Sequence, residues 1–140
     1  MTRHVGFTVV GLPAPQGSKR HVGHGVMVET AINHKPWRAA VAQAAYELRG
    51  AEPMTGPLRL AVEFRFPMPK SRPKAVRDAG ESHKVSAPDL DKLVRSVGDA
   101  LTEGGLIHDD ALICELYATK REVVGWTGAM ITVDQMGGGS

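Results

Sequence analysis

A single cysteine, Cys114, occurs in 140 residues. This excludes an intramolecular disulfide and any cysteine-rich zinc site. Because Cys114 stands in an apolar run, it reads as a small core residue. Aromatic residues are also scarce, at 5% against 42% hydrophobic residues overall, so the core is expected to be aliphatic and alanine-rich. No apolar run approaches a membrane span, and no charged-then-apolar leader opens the chain. The expectation is a soluble cytoplasmic protein with no membrane partner. Charge of one sign is not in large excess either. Lys and Arg number 17 against 15 Asp and Glu, for a formal net charge of +2. Bulk charge therefore does not by itself indicate a polyanion. The six histidines lack the H-E-x-x-H zinc spacing. Neither a G-x-x-x-x-G-K-[ST] phosphate loop nor a G-x-S-x-G elbow is present.

What is present is unevenly distributed. The length suits one domain, expected over residues 1–136, with residues 137–140 (Gly-Gly-Gly-Ser) as a flexible tail. Phe7 to Val10 reads as a strand stopped by Gly11 and Pro13. Residues 12–34 read as a long loop or a loose hairpin around Val26-Met27-Val28. Pro36 suits a first helical turn, and Trp37, Ala40, Val41, Ala44 and Leu48 follow at helical spacing before Gly50. Leu58, Leu60, Val62, Phe64 and Phe66 alternate with Arg59, Ala61, Glu63 and Arg65, as a half-buried strand requires. Residues 67–87 contain prolines, Lys70, Arg72, Lys74, Arg77 and Lys84, and almost nothing apolar. Two readings are open for them: a solvated linker, or a basic flap that orders on a phosphate backbone. Lys19, Arg20 and His21 form a smaller basic group.

A second helix begins near Pro88, with Leu90, Leu93, Val94, Val97 and Leu101 as its apolar stripe and Gly104-Gly105 as its stop. Ser86, Ala87 and Asp89 are the N-cap candidates. Leu112 to Lys120 and Ala129 to Val133 are the last two strands. The order β-α-β-α-β-β predicts an α+β fold, a small mixed sheet flanked by two helices.

The second helix is bracketed by acids: Asp89 and Asp91 at its start, Asp109-Asp110 after its end. One Asp at a helix start is an ordinary cap, but two in alternate positions cannot both be the cap. Asp109-Asp110 also has a plain reading, as acids in an exposed turn. Clustered carboxylates repel one another, and a divalent cation relieves that repulsion. If the pairs converge, Mg²⁺ would find oxygen ligands, and a nearby Lys or Arg would clamp a phosphate. Arg95 lies one turn after Asp91, where it is also suited to a simple i,i+4 ion pair. Lys120 closes the strand that Asp110 precedes, where it is also suited to a solvated strand end. Asp99 continues the same polar helix face as an outer acid or a partner for Arg95. Pro88-Asp89 alone suggests a PD-(D/E)-x-K nuclease, but the acid-x-lysine triplet is missing downstream.

The order Pro88-Asp89-Leu90-Asp91-x-Leu93, Asp99-Ala100-Leu101, Gly105, Asp109-Asp110-Ala111 and Lys120 resembles the RusA family of Holliday junction resolvases, common in phages and prophages. Phe7-x-Val9-x-Gly11-x-Pro13 with Gln16-Gly17-Ser18-Lys19-Arg20 resembles that family's first strand and basic loop. The resemblance implies a homodimeric α+β endonuclease that cuts four-way DNA junctions with Mg²⁺ or Mn²⁺. Its catalytic, metal-binding acids fall on Asp89, Asp91 and Asp110. The family's essential lysine falls on Arg95, and its usual asparagine falls on Lys92. An arginine keeps the charge but cannot transfer a proton, so Lys92 or Lys120 would have to supply any such step. Lys120 joins Arg95 as a catalytic candidate. Lys19, Arg20, Lys70, Arg72, Lys74, Arg77, Lys84 and Lys92 are the candidate DNA contacts. The rival expectation is a weak or inactive branched-DNA-binding protein of the same fold, and a third is a small structural phage protein.

Overall fold

The computed structural model describes residues 2–15, 19–21, 27–29 and 34–137. Strand β1 covers His4–Val10; β2 and β3, Lys19–His21 and Met27–Glu29, form a separate antiparallel pair. The β2–β3 pair agrees with the hairpin reading but puts Met27 and Val28 within a strand; residues 22–26 with Val26, Gln16-Gly17-Ser18 and the expected tail at 138–140 lie outside the described residues. Helix α1 is His34–Leu48 and strand β4 is Leu58–Pro67. A short helix α2, Lys74–Ala79, leads into β5, Glu81–His83. Helix α3 is Leu90–Glu103, followed by a 3₁₀ turn at Asp110–Leu112, β6 at Ile113–Val123 and β7 at Gly128–Gln135.

Alternation in β4 does what its pattern predicts. Leu58, Leu60, Val62, Phe64 and Phe66 are all buried. This places β4 in the middle of a five-stranded sheet, ordered β1-β7-β4-β6-β5. It pairs parallel with β6 and antiparallel with β7. Trp37, Val41 and Ala45 of α1 and Leu93, Val97 and Leu101 of α3 complete one core with these strands. Each fully buried Leu or Val contributes about 1.5–3 kcal/mol by leaving water. The helices cross closely where α3 ends, because a Cβ on Gly104 would stand 2.5 Å from the Ala42 carbonyl oxygen. The architecture is α+β, as expected, with a mixed sheet and two long helices.

Two expectations are corrected. Residues 67–87 are not a structureless linker or flap, because they contain α2 and β5. Helix α2 buries none of its residues, so no apolar stripe betrayed it. It is stopped by Gly80 at φ 88°, and β5 then pairs with Arg121–Val123 of β6. Arg72 grips Glu122 at 2.8 and 2.9 Å, and that carboxylate is only 3% exposed. The arm is thus ordered by sheet pairing and one ion pair instead of by a core of its own. The second correction is Cys114, which is exposed, its Sγ 3.7 Å from the Leu58 carbonyl. Strand β5 covers only the last residues of β6, so the upstream part of β6 is a sheet edge, with a register shift opposite Leu58 and Arg59.

Candidate active site

Helix α3 sets the first acids. Asp89 occupies the N-cap position with extended φ and ψ of −67° and 137°, yet its side chain makes no capping hydrogen bond. Its carboxylate faces Lys92 at 3.8 Å. The cap explanation therefore fails for Asp89. Asp91 lies in the first turn, and Arg95 one turn later is on the same exposed face, opposite the buried Leu93, Val97 and Leu101.

The chain turns after Glu103 and returns through Asp109 and Asp110 to β6. Asp109 is a cap, since its side chain accepts from the Ala111 backbone N–H at 2.9 Å. That bond, then Asp110 and His108, hold the Asp109 carboxyl below the ordinary aspartate range. Asp110 is pushed the other way. Although the residue is exposed, desolvation of its carboxyl comes first, then hydrogen bonding to Asp109, with the charges of Asp99 and Asp109 adding to it. Gly98 permits this packing against α3, because a Cβ there would meet the Asp110 Cβ at 3.3 Å.

The return brings Asp110 to α3. One open cleft is lined by Asp91, Val94, Arg95, Gly98, Asp110, Ile113 and Leu116. Leu116 is 55% exposed there, as a wall of the cleft at the sheet edge. Arg95 makes no ion pair with Asp91 or any other acid among the described residues. A free guanidinium thus shares a cleft with two carboxylates from separate elements. Asp89 stands two residues upstream, outside that lining. Among the described residues, no three Asp, Glu, His or Cys side chains form a group close enough to hold an ion. Two carboxylates are nonetheless what Mg²⁺ commonly takes from protein, with water and phosphate completing its octahedron. The charges of Asp99 and Asp109 add to the raised proton affinity of Asp110, behind desolvation and the Asp109 hydrogen bond, and a cation would offset that part.

The other candidates are dispersed. Lys120 directs its ammonium to the backbone oxygens of Ser86 and Pro88, at 2.7 and 2.8 Å. Arg72 is engaged by Glu122, Lys74 pairs with Asp78 at 2.8 Å, and Arg77 donates to the Pro69 carbonyl at 3.1 Å. Lys84 donates to Ser86 Oγ at 3.0 Å and lies over the Phe66 ring. Lys70 is exposed. Lys19 and Arg20 form β2, and their side chains lie outside the described part. The Lys120 and Glu122 contacts were not legible in the sequence, since both join segments more than 30 residues apart.

The fold is small and α+β, with an acid-and-arginine cleft between α3 and the start of β6 and a basic arm paired to the other end of β6. The family of endodeoxyribonuclease RusA matches residues 10–134. The chain belongs to this family, whose members are Holliday junction-resolving endonucleases. It is also similar to the uncharacterized protein YqaN of Bacillus subtilis (strain 168), at 33% identity over 122 residues, covering 81% of this chain and 84% of that protein.

Proposed function

We propose that the chain is a divalent-metal-dependent endonuclease that resolves four-way junctions and related branched DNA by paired nicks, acting as a homodimer in the cytoplasm of a bacterium or phage host. The observation that supports it best is the cleft that Asp91 and Asp110, from different elements, line together with Arg95, which has no ion pair among the described residues. Asp91 and Asp110, with Asp89 at the helix mouth, would hold Mg²⁺ or Mn²⁺, which when bound activates water and offsets charge at phosphorus. Arg95 clamps a phosphate oxygen through its fork and stabilises the charge that develops there. The arm over residues 70–84 and Lys92 supply cations for the flanking backbone. Two-fold symmetry suits two opposed cuts in one junction.

Arginine in place of the family's lysine favours a second reading, a junction-binding relative with weak or no cleavage. A synthetic four-way junction with and without Mg²⁺, and duplex of equal length as control, separates the two. Metal-dependent nicking in opposed strands supports the nuclease. Tight, salt-sensitive binding without nicking supports the binding protein.

A further inference from the structure

Lys120 lies on β6, but its charge serves the loop before α3. Its ammonium donates to the carbonyls of Ser86 and Pro88, which flank the entry to Asp89. The backbone repeats the contact, with the Lys84 N–H donating to the Lys120 carbonyl at 3.1 Å. Lys84 Nζ in turn reaches Ser86 Oγ. The loop has little else to hold it. Val85 is 94% exposed, and Ser86 and Ala87 are exposed as well. Apart from the half-buried Pro88 and the Lys84–Phe66 contact it has little apolar support, so charge-assisted hydrogen bonds to its carbonyls carry much of its placement. The first bond of α3, Leu93 N–H to the Asp89 carbonyl at 3.1 Å, begins immediately after.

We propose that Lys120 is a positioning residue that fixes the Ser86–Pro88 backbone, and through it Asp89 and Asp91, against β6. This rests on the nuclease reading of the cleft. A lysine with two of its three N–H groups spent on carbonyls is poorly placed to clamp a phosphate or deliver a proton.

Lys120→Met and Lys120→Arg test it. Backbone hydrogen exchange over residues 85–92 is measured alongside junction cleavage. In Lys120→Met, exchange there should rise about ten-fold or more, with the rest of the chain unchanged. The kcat should fall on the order of 10²-fold, as for misplaced catalytic groups, with KM for the junction and the shape of the pH profile unchanged. Arginine can donate to both carbonyls, so Lys120→Arg should restore exchange protection and most of the rate. Unchanged exchange in Lys120→Met overturns the proposal. Loss of one limb of the pH profile does too, because it makes Lys120 a proton donor. If Lys120→Met fails to fold, Lys120→Arg decides: wild-type protection and rate support positioning, and lost rate with intact protection overturns it. If the wild-type protein cuts no junction, the nuclease reading falls, while the exchange arms still decide the role of Lys120.

Discussion

Asp110 is held at a cost in its present form. Its carboxyl, though exposed, has a raised proton affinity, first through desolvation where it meets α3 and then through Asp109 and Asp99. The ionised form therefore destabilises the fold at neutral pH, and protonation relieves it. Asp110→Asn keeps the shape and removes the charge. We expect cleavage to be abolished and junction binding to persist, with Tm at pH 7 slightly raised, because solvent screens most of the charge effect at this exposed site. That gain should shrink as pH falls through the raised pKa, where the wild-type carboxyl is already neutral. Asp89→Asn and Asp91→Asn should likewise abolish cleavage with binding retained, and wild-type cleavage by either would remove that residue from the site. Arg95 is the other residue-scale test. Arg95→Ala should lose on the order of 10²-fold in rate, as for one lost electrostatic stabiliser. Arg95→Lys should keep most activity. A rate above wild type with a new pH limb would instead show that the position moves a proton.

At the scale of elements, the arm of α2 and β5 combines a structural latch with exposed cations. Glu122 is held below the ordinary glutamate range, first by the hydrogen bond from Arg72, with the charges of Arg72 and Lys84 adding to it, despite the opposing effect of burial. A depressed folded pKa contributes stability above the ordinary glutamate value, near 4.3, and loses it as pH falls through the folded value. Glu122→Gln should therefore lower Tm at pH 7, and the two melting curves should converge in acid. Equal curves at pH 7 would mean that β5 pairing alone holds the arm. The outward cations make a separate prediction. Neutralising Lys70, Lys74 and Arg77, with Arg72 kept, should weaken junction binding and reduce the slope of log K against log salt by roughly one unit per lost phosphate contact. An unchanged slope would place the DNA on another face.

For the whole molecule, the nuclease reading requires two clefts per junction. A mixed dimer of wild-type and Asp91→Asn protomers should nick one strand and leave its opposite intact, because each cleft serves one strand. Gel separation of the labelled strands checks this, and two cuts from the mixed dimer would show that one site serves both strands.

Local pattern was enough wherever one face of an element is buried. The alternation of β4, the stripe of α3 and the spacing of α1 are periodic because water and core lie on opposite sides. The motif from Pro88 to Asp110 likewise pointed to the family. Pattern said nothing of α2, which buries no residue, and it misplaced Cys114, which alternates as an inward residue but lies at an uncovered edge. The tertiary structure alone decided that Asp89 is not a side-chain cap while Asp109 is, that Arg95 is unpaired among the described residues, and that Lys120 and Arg72 hold backbone and a buried carboxylate. Those outcomes depend on which segments meet across the sheet, and a side chain's partner there is chosen by packing instead of by its neighbours in sequence.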